Sequence, residues 1–157
     1  MPNWCAGVLK VRGTKENVTN FITKGIIAVD CYGSNVDYKI ILDKDENFNL
    51  DNMKNTFFYI KGTKRGFVLP GDYFFDFCDE EKDDVIVCLD AEFAWIIHPE
   101  QLAAISKQYD VAFKIYAFER GMEFNIDLEI NKGKIVKEEY IEYDNYIWEC
   151  IEPYCGG

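Results

Sequence analysis

Apolar and polar residues alternate along this chain in ways that divide it into short elements. Residues 4–13 repeat with a period of two, Leu9 and Val11 on one side and Val8, Lys10 and Arg12 on the other, which predicts a strand. Thr14 stands where it can cap a helix bearing Val18, Phe21 and Ile22 at helical spacing, and Gly25 ends that helix. Residues 26–31 and 36–42 are rich in β-formers and flank a YGSN turn, so both are predicted strands. DKDENFNLDNMKN (43–55) is a polar loop, and residues 56–61 and 66–69 flank GTKRG as a hairpin. A strand is predicted at 85–89. Pro99 then opens PEQLAAISKQY, a helix with Leu102, Ile105 and Tyr109 as its apolar stripe. Strands at 111–118, 122–130 and 134–143 follow, joined by ERG and NKG turns. This order predicts an α+β fold with two helices on one face of a mainly antiparallel sheet.

Composition narrows the class. With 157 residues, 48% hydrophobic and 16% aromatic, the chain has enough material for a single folded domain over 1–157, with an insertion or extra sheet at 43–84. No apolar run approaches the roughly 20 residues of a membrane span. Lys10 and Arg12 interrupt the first apolar stretch, so no signal peptide and a cytoplasmic location are expected. The six cysteines form no CxxC pair and are expected to be reduced thiols, several of them buried. The formal net charge is −11 and unevenly spread. Residues 1–71 carry ten Lys/Arg against seven Asp/Glu, and residues 72–157 carry seven against twenty-one. Such a chain repels nucleic acid and attracts basic surfaces.

Two stretches carry a family resemblance. MPNWC running into VLKVRG and a Thr-capped helix resembles the start of the YubB-type ferredoxin-like proteins. The segment AEFAWIIHPEQLAAISKQYDVAFKIYAFERGMEFNIDLEINKGKIV resembles that family's aromatic, short helix, strand, acidic-Gly turn and Gly hairpin, on Trp95, Pro99, Glu119, Gly121, Phe124 and Gly133. The resemblance covers about half the chain and leaves residues 26–90 outside it. It implies a ferredoxin-like fold and an origin in phages, prophages or plasmids. It assigns no activity and supplies no catalytic residue.

The chemistry to weigh lies in the acidic half. In residues 122–130 the even positions are apolar, and Glu123, Asn125, Asp127 and Glu129 take the odd ones. Period two places those acids in a row about 7 Å apart, close to the phosphate step of one nucleic-acid strand. Glu138 and Glu142 extend the charge on the next strand, with Glu139 on the alternate face. Asp79, Glu80, Glu81, Asp83 and Asp84 make a second cluster. A solvated face accounts for such acids simply. The sharper expectation is a DNA mimic: a non-enzymatic, anti-CRISPR-like inhibitor that binds a basic, nucleic-acid-binding host defence protein, a nuclease or other effector. Tyr73 and Phe75, in an aromatic run rimmed by acids, are expected to add apolar anchors to that interface.

Other chemistry is thinner. His98 is the only histidine and precedes a helix start, where capping or packing is the plainer role. Cys150 and Cys155 form a loose pair with no second pair at ligand spacing, so neither metal nor cofactor is expected. Pro2 would offer a tautomerase-like secondary amine only with Met1 removed, and that role is not expected; GTKRG lacks the GxxxxGK[ST] pattern of a phosphate loop. A small metal protein or enzyme built on the cysteines and His98, and a homo-oligomer that pairs its edge strands, remain as alternatives.

Overall fold

The computed structural model describes residues 2–79 and 84–157. Its centre is β1 (Trp4–Thr14), eleven residues long and flanked on both sides. β8 (Asp84–Ala94) pairs with it antiparallel along its whole length, Trp4 opposite Ala94 and Thr14 opposite Asp84. β9 (Ala112–Glu119) pairs with its other edge, Val8 opposite Tyr116. Between β8 and β9 the chain forms α2 (Pro99–Tyr109), so these two strands run parallel with β1 between them. β10 (Phe124–Asn131) and β11 (Lys134–Glu142) continue the sheet beyond β9 as antiparallel hairpins. On the other side β8 is followed by β5 (Gly66–Val68), β4 (Thr56–Ile60) and β2 (Ile26–Asp30). β7 (Phe75–Asp79) pairs with the remaining length of β8. β3 (Phe48–Leu50) and β6 (Gly71–Tyr73) form a separate two-stranded sheet.

The alternating pattern dictates which face is covered. Leu9, Val11, Val85, Val87, Leu89, Phe113, Ile115, Ile126, Leu128 and Ile130 are buried on one face, beneath the helices. Thr14 caps α1 (Lys15–Asn20), its hydroxyl accepting from Asn17 N at 3.2 Å. The helix runs on as a wider turn over Phe21–Gly25, with Phe21 and Ile22 buried. The Phe21 ring meets Tyr109 at 5.6 Å and Phe113 at 5.2 Å, tying α1, α2 and the sheet together. α2 begins at Pro99 as expected and ends at Asp110 in the left-handed region. Among the described residues no helix is long and apolar enough to cross a membrane.

Two expectations fail locally. Residues 36–42 form no strand. Val36 N donates to Ala28 O, and the segment then turns inward, burying Ile40 and packing Tyr38 on Phe58 at 5.2 Å. β-propensity there reflects burial rather than strand pairing. The polar stretch 43–55, read as a loop with at most a short helical turn, contains β3 instead. Its Phe48 and Leu50 alternate with exposed Asn49 and are buried.

Candidate interaction surfaces

The face opposite the helices is largely uncovered and presents the even positions of β1 and β8 and the odd positions of β10 and β11. The expected acid row is there in part. Asp127 lies opposite Tyr116 on one side and Glu139 on the other, and Glu129 lies between Lys114 and Lys137. Lys137 reaches Asp127 at 2.5 Å and Glu139 at 3.7 Å, while Lys114 stands 3.6 Å from Glu129. The Asp127 carboxylate beside it holds the Lys137 ammonium above its usual range. The row is therefore an alternation of both signs, not a line of bare carboxylates. Glu123 sits in the preceding turn at φ 60°.

The shared acid face also needs a correction. Glu138 and Glu142 stand opposite Leu128 and Phe124, which are positions of the helix-side face. Glu139 is the β11 acid that shares the Asp127 face. Strand period two forces this once the register is known, and register is not readable from one strand alone. Tyr73 and Phe75 are corrected as well. Both are buried, packed on Phe48 at 5.4 and 6.3 Å, so neither can anchor a partner; the exposed aromatic between them is Phe74. Asp79 stands opposite Asp84 in the β7–β8 register. Glu80, Glu81 and Asp83 lie outside the described residues.

His98 is the residue before α2 and its carbonyl accepts from Gln101 N at 3.1 Å, but its side chain makes no capping bond; its Nδ1 stands 3.5 Å from Glu100 Oε1. Cys150 and Cys155 go to different partners, Cys150 to Asn125 and Cys155 to Ala6 O. Burial raises the Cys5 thiol to about 12, with the nearby Glu119 adding to the shift. Cys31 and Cys88 are exposed.

The most distinctive surface arises from the last fifteen residues, which sequence reasoning left without a role. α3 (Tyr146–Glu149) folds against the open face of the sheet. Its anchor is Asn125, fully buried in the odd row of β10. Asn125 Nδ2 donates to Tyr143 Oη at 2.8 Å and Tyr116 Oη at 3.1 Å, and its Oδ1 accepts from Tyr146 Oη at 2.9 Å. Desolvation raises the Tyr143 and Tyr146 phenols well above their usual value. Further on, Gly157 N donates to Trp4 O at 2.9 Å. Gly156 has φ +77°, and a Cβ there would meet Phe118 O at 2.2 Å and Trp4 O at 2.6 Å, so only glycine fits this approach.

Pinned in this way, the segment turns a second set of apolar side chains outward. Trp148 is 85% exposed, Ile151 82% and Tyr154 71%, with Ile147 also exposed. Glu142, Asp144, Glu149 and Glu152 are exposed around them in sequence. Arg120 stacks over the Tyr154 ring at 5.2 Å. A hint existed in YIWECIEPY, whose apolar residues exceed what a four-residue helix can bury.

The Trp4 side chain, whose backbone carbonyl receives Gly157, answers to a different neighbourhood from the exposed C-terminal side chains. Its ring meets Phe67 edge-on at 6.1 Å and carries the Arg65 guanidinium at 5.8 Å. Compared with family models, curated proteins and solved structures, the chain finds no match. Its surfaces therefore have to be read from their own chemistry.

Proposed function

We propose that this chain is a cytoplasmic, non-enzymatic binding protein of mobile-element origin, with a ferredoxin-like core, that inhibits a basic, nucleic-acid-binding defence protein in the manner of an anti-CRISPR protein. The core reading rests on β1–α1–β2 and β8–α2–β9, each a parallel pair with other strands between, with β4–β5 and β10–β11 added. The observation that carries the function is the C-terminal patch, where Trp148, Ile151 and Tyr154 lie exposed in a segment that also carries the exposed Asp144, Glu149 and Glu152. Large apolar side chains held outward on a buried polar anchor are what an interface centre uses, and Trp and Tyr are its commonest hot spots. The acids select a basic partner and speed its approach. Glu138 and Glu142 point to the helix-side face and stand apart from this patch, and Asp127 and Glu129 are already lysine-paired.

The test is capture of host proteins on the tagged chain, with double-stranded DNA as competitor. A captured nucleic-acid-binding protein that DNA displaces, and that a Trp148→Ala/Ile151→Ser variant no longer captures, supports the reading. Capture that ignores DNA, or that the variant retains, refutes it. A Glu123/Asp127/Glu129→Lys variant run alongside should keep most of its capture.

A second reading, self-association, is favoured by one observation on β11. This strand closes the sheet, nearly every residue of it is exposed, and it reads KIVKEEYIE. Antiparallel pairing of two copies centred on Glu138 sets Lys134 against Glu142, Ile135 against Ile141, Val136 against Tyr140 and Lys137 against Glu139. Centring on Lys137 or Glu139 instead places charged side chains against apolar ones. Light scattering should then give twice 18.3 kDa for the native chain, the monomer mass for Lys134→Glu, and the dimer again for Lys134→Glu with Glu142→Lys. A native monomer at about 100 μM removes this reading.

A further inference from the structure

The groove around Trp4 is a second site, distinct from the C-terminal patch. It measures about 590 Å³, within the range of small-molecule sites, and is lined by residues of five strands and two turns. Cross-strand register builds it. Phe67 on β5 has Tyr59 of β4 opposite on one side and Glu92 of β8 opposite on the other. Phe57 and Tyr59 stand 6.1 and 5.8 Å from Phe67 and Trp4 at 6.1 Å, all on steep angles, so the rings form a faceted wall. The Tyr59 hydroxyl is already donated to Thr63 O, which fixes that ring. Lys64 and Arg65, exposed on the turn before β5, form one rim. Asp30 lines the other, its carboxylate occupied by the backbone N–H groups of Tyr32 and Ser34.

Glu92 is the group left over. It is half-buried among the aromatics and, among the described residues, has neither a hydrogen-bond nor an ion-pair partner. Desolvation alone raises its carboxyl above the usual range. Arg65, the nearest rim cation in sequence to its strand partner, is committed to the Trp4 ring instead. No buried side-chain oxygen among the described residues lacks a partner, so the Glu92 oxygens open onto the groove, where a ligand's donors can reach them. The wall calls for a flat π-surface, and the Lys64–Arg65 rim calls for an anion.

We propose that this groove binds a guanine mononucleotide: the base against Phe67 and Phe57, its adjacent N1–H and N2 amino group donating to Glu92, and its phosphate between Lys64 and Arg65. Guanine is the common base with two neighbouring donors on one edge, the pattern that both oxygens of a carboxylate accept. A single nucleotide fits better than a polymer, because a chain of net charge −11 repels extended phosphate. A cationic ligand is disfavoured by Arg65 on the Trp4 face.

Calorimetric titration of the whole chain with GMP, IMP, AMP and guanosine tests the assignment. GMP is expected to bind saturably, with IMP, which lacks the N2 amino group, about tenfold weaker or more. Glu92→Gln should weaken GMP by about tenfold while narrowing the GMP–IMP gap. Arg65→Gln should weaken GMP and leave guanosine unchanged. Both substitutions are at partly or fully exposed side chains, and circular dichroism of each variant confirms that it folds. No saturable GMP binding at about 1 mM, equal binding of GMP, IMP and AMP, or unaltered GMP binding by Glu92→Gln each overturns the proposal. A single-stranded oligonucleotide containing guanine that binds better than GMP overturns the mononucleotide assignment. Because Trp148 and Ile151 take no part, this test and the capture experiment fail independently.

Discussion

Replacing Asn125 with leucine tests how the C-terminal segment is held. The two side chains are nearly the same size, so no cavity opens and the cost is that of lost hydrogen bonds. Three phenol hydroxyls depend on this amide: Tyr143 at 2.8 Å, Tyr146 at 2.9 Å and Tyr116 at 3.1 Å. Tyr116 and Tyr143 lie 3.5 Å apart and can pair with each other after the change. Tyr146, at 1% exposure, is left with an unsatisfied donor. One buried orphan costs about 1–3 kcal/mol, and the other two bonds, partly recovered, add roughly 1 more. Asn125→Leu is thus expected to destabilise the chain by about 3 kcal/mol in urea titration with linear extrapolation. Adding Tyr146→Phe removes the orphan, so the double variant should regain about 1–2 kcal/mol over Asn125→Leu. A loss under about 1 kcal/mol, or simple additivity of the two changes, would show that the amide is not the anchor.

Glu92→Gln should stabilise the protein at neutral pH. The raised folded-state value means that folding penalises the charged carboxylate, so native stability falls as pH rises from the usual glutamate value, 4.5, through the folded one. The advantage of the variant should vanish in urea titrations below that range; an equal advantage at pH 4 and 7 contradicts the burial argument. Iodoacetamide at pH 7.5 should modify Cys31 and Cys88 in the native protein and spare Cys5, whose thiol is raised to about 12, until the chain is unfolded. Peptide mapping reads this directly, and early labelling of Cys5 would contradict it. Gly156→Ala should loosen the terminal segment by roughly 1–3 kcal/mol, combining a disfavoured φ with contact on two carbonyl oxygens. Faster hydrogen exchange at residues 146–157 with little change in β1 is the expected signature.

The elements with strict periodicity were legible in the sequence. β1, β9, β10 and α2 stand within a residue or two of their predicted bounds, because each buries one face and exposes the other; β11 does so too, although nearly all of it is exposed, because its β-formers follow the NKG turn. Residues 36–42 misled because Ile40 and Tyr38 are apolar for packing and not for pairing. The candidate acid face was half legible: the alternation on β10 is real, but which β11 residues face Asp127 depends on register, and the lysines beside it come from β9 and β11. Tyr73 and Phe75 could be distinguished from Phe74 only once β6 and β7 were seen to cover Phe48. The C-terminal patch was the least legible, since its display depends on Asn125, twenty-one residues before Tyr146, being buried and fully bonded.

The central position of β1 has a consequence in time. This strand is complete at Thr14, yet its two partners span Asp84–Ala94 and Ala112–Glu119. At about 5–20 residues per second of synthesis, roughly 5–20 s pass between the emergence of β1 and that of its second neighbour. Until β8 is made, Cys5, Leu9 and Val11 have no sheet to enter and both edges of an eleven-residue strand stand open to other chains; the edge that β9 takes stays open to the end. The first segment made is therefore among the last to be housed. Translation speed and the chaperones at the ribosome thus bear on the yield of this protein alongside the stability of its final fold.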